Sequence, residues 1–121
     1  MIQFAQPPAI DSLEGERRGF HRIRYPLAER PSFFPEGKKA HVVLDVSGHG
    51  LRYACPNDSL PRLHDLVKGI LRFRRGAQIS IEGAVVRHQN QQVALHLHEE
   101  IPFNILLAEQ RYLHANYPMW S

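Results

Sequence analysis

Between Leu66 and His98 the apolar residues fall on alternate positions three times in succession. Val67, Leu71 and Phe73 share one parity in LVKGILRF, Ile79, Ile81 and Val85 share one in AQISIEGAVV, and Val93, Leu95 and Leu97 share one in QQVALHLH. A period of two puts such residues on one face of an extended strand and leaves polar residues on the other. Gly76, within RRGAQ, and the polar run HQNQQ supply short connections of the kind hairpins need, so the three segments are expected to pair antiparallel.

The first half of the chain repeats the theme. In HRIRYPL, Ile23 and Tyr25 alternate with Arg22 and Arg24; in AHVVLDVS, Val42, Leu44 and Val46 are expected to face inward, against the polar Asp45 and Ser47; in GLRYAC, Leu51 and Tyr53 oppose Arg52. Two proline-bearing stretches, LAERPSFFPEGKK and PNDSLPRLHD, read as irregular, the second as a loop with at most one helical turn. Residues 1–15 show no sustained period and read as a flexible arm. The period changes at Pro102. Phe103, Leu106, Leu107, Leu113 and Tyr117 recur at three- and four-residue intervals, Glu99 and Glu100 stand where a helix dipole favours anions, and Pro118 ends the pattern. About six strands and one closing helix describe a mainly β chain, a small antiparallel barrel or sandwich with the helix packed against it.

At 121 residues this is one domain, long enough to bury about two thirds of its unfolded surface. Lys and Arg exceed Asp and Glu by 15 to 12, a net charge of +3 that is too small to coat a nucleic acid polymer, so the positive charge has to act locally. A single cysteine, Cys55, excludes an internal disulfide. No window is apolar for long enough to insert in a membrane, which makes a reducing cytoplasm the expected compartment.

The local charge is concentrated in GERRGFHRIRYP, residues 15–26, where Arg17, Arg18, Arg22 and Arg24 offer planar guanidinium donors. Such forks hold phosphate oxygens, bond bidentately to guanine O6 and N7, and stack on bases. The complementary segment is LDVSGHG, residues 44–50. Asp45 and Ser47 point the same way on a strand, so a carboxylate and a hydroxyl can meet one ligand edge, and the carboxylate suits the N1 and N2 donors of guanine. Gly48 and Gly50 allow a sharp turn or a close backbone approach. Together the two segments ask for a guanine nucleotide.

These residues carry a family resemblance. RRGFHR is similar to the RxxxR element, and DVSGHG to the D/N-x-S-x-x-G element, of PilZ domains, which are bacterial receptors for cyclic di-GMP. The resemblance extends from about residue 14 to residue 117 and implies a six-stranded antiparallel β-barrel with a C-terminal α-helix: an arginine segment at 16–24, a barrel over about 20–99 and a helix over about 102–116, within a domain spanning 16–117. It implies a stand-alone single-domain member. By position, Arg18 and Arg22 correspond to the arginines of the first element, and Asp45, Ser47 and Gly50 to the named positions of the second. Arg17, just ahead of the first element, would stack on a second ligand molecule.

The resemblance implies a receptor without catalytic activity or cofactor. Ligand would order the arginine segment, and a protein partner would receive the signal, with motility, type IV pili, biofilm or polysaccharide as the output. Two other readings are a nucleotide-independent PilZ-like adaptor in pilus assembly and a small barrel that binds single-stranded nucleic acid. His96 and His98, two apart on a strand, are the best candidates for metal ligands, but no third ligand is fixed beyond Glu100, and no metal is expected. Cys55 has no base at a telling spacing, and no nucleophile–base pattern can be assembled. Arg87 lies on the inward parity of its strand, where it would reach a rim site or, after a bulge, face water.

Overall fold

The computed structural model describes residues 22–56 and 60–120. The arm at 1–15 and the motif arginines Arg17 and Arg18 lie outside them. In chain order the elements are β1 (Ile23–Arg24), a 3-10 turn (Leu27–Glu29), β2 (Ser32–Pro35), β3 (His41–Val46), β4 (Gly50–Ala54), β5 (Leu66–Arg72), β6 (Gln78–Gln89), β7 (Gln92–Leu97) and α1 (Phe103–Asn116).

Every strand pairing is antiparallel. The ring runs β3, β2, β5, β6, β7, β4 and closes through β3–β4. β1 pairs with the end of β3 at Val46 and Asp45, while β2 pairs with its start at Val42 and His41. The barrel is therefore closed and six-stranded, with β1 and β2 sharing one strand position, and closure leaves no long free edge.

The alternation expected for β4 to β7 is what fills the barrel. Leu51, Leu71, Phe73, Val85, Val93, Leu95 and Leu97 are all buried, together with Tyr25, Phe33 and Ile101. Each such side chain contributes about 1.5–3 kcal/mol relative to exposure.

Two expectations are corrected. LAERPSFFPEGKK is not irregular throughout: it holds the 3-10 turn and β2, in which Phe33 is fully buried between the half-buried Ser32 and Phe34. The two prolines delimit this strand instead of preventing it, since Pro31 precedes it and Pro35 is its last residue, where a missing N–H interrupts least. In β3 the inward residues are Val43 and Val46, not Val42 and Leu44. A bulge between Val43 and Asp45 shifts the register, so Val42 is 47% exposed and Leu44 is only half-buried.

Pro102 precedes α1 as its N-cap, its carbonyl accepting from the Ile105 and Leu106 amides, and the Tyr117 amide closes the far end on the Leu113 carbonyl. Leu106 and Leu113 face the core, with Glu109 buried between them. That carboxylate is fully engaged. Tyr25 donates to Oε1 at 2.8 Å, and Arg75, from the β5–β6 connection, reaches both oxygens at 3.1 and 3.2 Å. Arg75 continues to Glu29 at 2.6 Å, where the Tyr117 and Tyr112 hydroxyls also donate. The network joins the helix, the β5–β6 connection and the 3-10 turn. Burial pushes the Tyr25 phenol well above its ordinary range, with the Glu109 charge adding to the effect, while the Tyr117 hydroxyl and Arg75 hold the Glu29 carboxyl below its own.

Candidate functional site

The face around the end of β3 is built by three local features. The first is a tight turn: the Ser47 amide donates to the Gly50 carbonyl at 2.9 Å, and only Ser47, Gly48 and His49 separate β3 from β4. The turn is fastened to the end of β7 and to the chain after it, because the His49 carbonyl accepts from Leu97 and the Gly48 carbonyl from Ile101. Ser47 and Gly50 stand opposite each other, and a Cβ at residue 50 would lie 2.6 Å from Ser47 Oγ. A side chain there would turn the Ser47 hydroxyl away from its present position.

The second feature is the β3 bulge, which turns Asp45 outward although Val43, two residues earlier, points into the core. Asp45 lies opposite Arg24 of β1 on one side and Arg52 of β4 on the other. Arg52 grips one carboxylate oxygen through Nε at 2.8 Å and Nη2 at 2.5 Å and reaches Gln92 Oε1 through Nη1 at 3.0 Å. Asp45 is thereby held in one orientation and is only 7% exposed despite its outward position.

The third feature is the β1–β3 ladder, which pairs Ile23 with Val46 and Arg24 with Asp45. Continued by one residue, the register sets the exposed Arg22 level with Ser47. Of the expected site residues, Arg22, Asp45, Ser47 and Gly50 thus come to one outer face of the barrel. Arg17 and Arg18, which precede them in the chain, are not among the described residues.

Alternation alone gives no sign of the role of Arg52. Its parity marked it as outward, but its pairing with Asp45 depends on the bulge, which strict alternation does not reveal. His49 stacks on His96 with ring centroids 5.6 Å apart, and His98 lies near Glu82 at 3.9 Å, so the two β7-side histidines have separate partners. Among the described residues no three His, Cys, Asp or Glu side chains converge as metal ligands. Arg87 follows a β6 bulge and faces outward, opposite Ala94. A groove of about 1330 Å³, with Lys38, Arg62 and Lys68 among its lining residues, includes none of the expected site residues.

A family model, the PilZ domain, matches residues 16–113. The chain belongs to the PilZ family. It is a family of cyclic di-GMP-binding receptors. Among solved structures, the chain is similar to the Bacillus subtilis inhibitor of motility MotI/DgrA, with a TM-score of 0.61 and 16% sequence identity over 80% of this chain. It spans about half the length of that protein, 51%. No curated protein matches the sequence. The PilZ fold accounts for the closed barrel and the C-terminal helix, and none of its described helices is long and apolar enough to cross a membrane.

Proposed function

We propose that this PilZ protein is a cytoplasmic receptor for cyclic di-GMP, without enzymatic activity, that signals to a protein partner. The observation that carries this reading is the antiparallel pairing of β1 with β3, which sets the end of the arginine element, Arg22, level with the Asp45–Ser47–Gly50 element. Asp45 and Ser47 meet the Watson–Crick edge of a guanine, the carboxylate accepting from N1 and N2. Arg18 and Arg22 grip phosphate and the O6 and N7 edge, and Arg17 stacks on a base. Ligand binding draws the segment carrying Arg17 and Arg18 onto this face, so that free and bound states present different surfaces to the partner. The likeness to an inhibitor of motility makes control of motility the favoured output.

Calorimetric titration with cyclic di-GMP tests the reading and counts the ligand molecules bound. Arg18→Ala and Asp45→Ala should each weaken binding by about 1–3 kcal/mol, the range for loss of a bidentate base contact. Unchanged affinity in both variants rejects the site. Absence of any heat with the wild-type protein leaves the nucleotide-independent adaptor as the better reading.

A further inference from the structure

The outer face that holds Asp45 does not end at β4. Directly opposed residues of an antiparallel sheet point to the same side. The ladders place Arg24, Asp45, Arg52, Ala94 and Arg87 in one row across β1, β3, β4, β7 and β6. Arg87 belongs to this row because of the β6 bulge: with unbroken alternation it would turn inward beside Val85, whereas the extra residue brings it opposite the outward Ala94.

The two arginines of the row beyond Asp45 differ in what they are free to do. Arg52 is committed to Asp45 and Gln92. Arg87 is exposed and forms no ion pair among the described residues. Between them stands Ala94, a partly buried residue whose single methyl is the shortest side chain of the row. With strands about 4.8 Å apart, Arg87 starts three strands, or about 14 Å along the curved sheet, from Asp45. Its long side chain shortens that span.

A mononucleotide whose base is held at Asp45 has no reason to extend over β7. A cyclic dinucleotide does, because a second purine and a second phosphate are joined to the first through one ring. Resting on the function proposed above, we propose that Arg87 is a further ligand-binding residue that holds the second nucleotide unit of a cyclic dinucleotide across Ala94. A guanidinium fork suits either group that unit presents, a phosphate oxygen or the O6 and N7 edge of guanine.

The test is a titration of the full chain with cyclic di-GMP by calorimetry and with millimolar 5′-GMP by the NMR shifts of the Ser47 and Gly48 amides. It compares wild type, Arg87→Ala, Arg87→Lys and, as a control for net charge, Lys68→Ala on β5. Arg87→Ala should lose cyclic di-GMP affinity tenfold or more, the effect of one charge-assisted contact. Arg87→Lys should recover part of it, Lys68→Ala should match wild type, and 5′-GMP should bind all four proteins alike. Unchanged cyclic di-GMP affinity in Arg87→Ala overturns the proposal and shows an ordinary solvated arginine. Equal losses for both ligands, or an equal loss in Lys68→Ala, overturn it too, since the substitution would then act on the Asp45 end or through the general field. A wild-type protein that gives no heat with cyclic di-GMP is a separate result, one that fails the function itself.

Discussion

At the scale of single residues, the D-x-S-x-x-G element is a steric arrangement before it is a binding one. The backbone of Gly50 does not adopt a positive φ, so what a side chain there would meet is Ser47 Oγ. A methyl there displaces only the end of a rotatable side chain, so Gly50→Ala should cost no more than about 1 kcal/mol, the scale of an off-rotamer side chain, read from the urea midpoint. Removing the obstacle should reverse this. In the double variant Gly50→Ala/Ser47→Ala the nearest remaining Ser47 atom, its Cβ, lies at an ordinary 3.9 Å, and most of the stability should return. If the double variant is no more stable than the single one, the contact is not the reason for glycine. Nearby, Asp45 shows how a carboxylate can be outward yet almost inaccessible: the Arg52 fork takes one oxygen and fixes the carboxylate plane, which leaves the second oxygen as the one to accept from a ligand.

At the scale of elements, legibility followed the regularity of the strands. β4 to β7 were readable because each keeps its alternation through the stretch that faces the core, and Leu51, Tyr53, Leu71, Val85, Val93 and Leu95 all lie where that alternation puts them. β3 is only partly legible: Val46 is buried as alternation requires, but the bulge puts Val43 inward in place of Val42 and Leu44, and no residue type announces the extra position. β2 is hidden in the sequence by its prolines, which read as breakers, whereas at the limits of a four-residue strand they only mark its ends. The site was legible as two motifs, but Arg52 was not, since its partner is chosen by a register that only pairing defines. The helix stripe is apolar in the sequence, and Glu109 in its middle is intelligible only with Tyr25 and Arg75 in place. Arg75→Ala should leave that buried carboxylate uncompensated and cost about 3 kcal/mol, measured by denaturant unfolding; a loss under about 1 kcal/mol would mean that Tyr25 alone suffices. Glu29 adds a pH dependence. Its carboxyl is held below the ordinary value, so the stability it contributes is fully present above that value and is lost as pH falls through the folded-state value. Glu29→Gln should consequently be less stable than wild type at pH 7 and should lose less stability on acidification below about pH 5, seen in urea midpoints across that range.

At the scale of the whole molecule, the strand that carries the arginine element is tied to the end of the chain. Trp120 Nε1 donates to the Arg24 carbonyl at 2.7 Å, and Tyr117, three residues earlier, is bonded to Glu29, so the segment after α1 is fastened at two points beside β1 and the 3-10 turn. Arg24 pairs with Asp45, which places this tether one strand away from the proposed guanine contact. Trp120 is the only tryptophan in the chain, and its indole is 43% exposed, so its emission reports on this one place. If ligand pulls β1 against β3 as the arginines close, the environment of the indole has to change with it, and cyclic di-GMP should shift Trp120 fluorescence with the same midpoint as the calorimetric isotherm. Trp120→Phe removes the donor and should lower stability by about 1 kcal/mol, the net worth of one hydrogen bond, while leaving the Asp45 contacts in place, so that cyclic di-GMP still binds. A saturable heat without any change in emission would mean that the ligand lands on a β1 that does not move, and that any signal to a partner leaves through the arginine segment alone, not through the tail and α1.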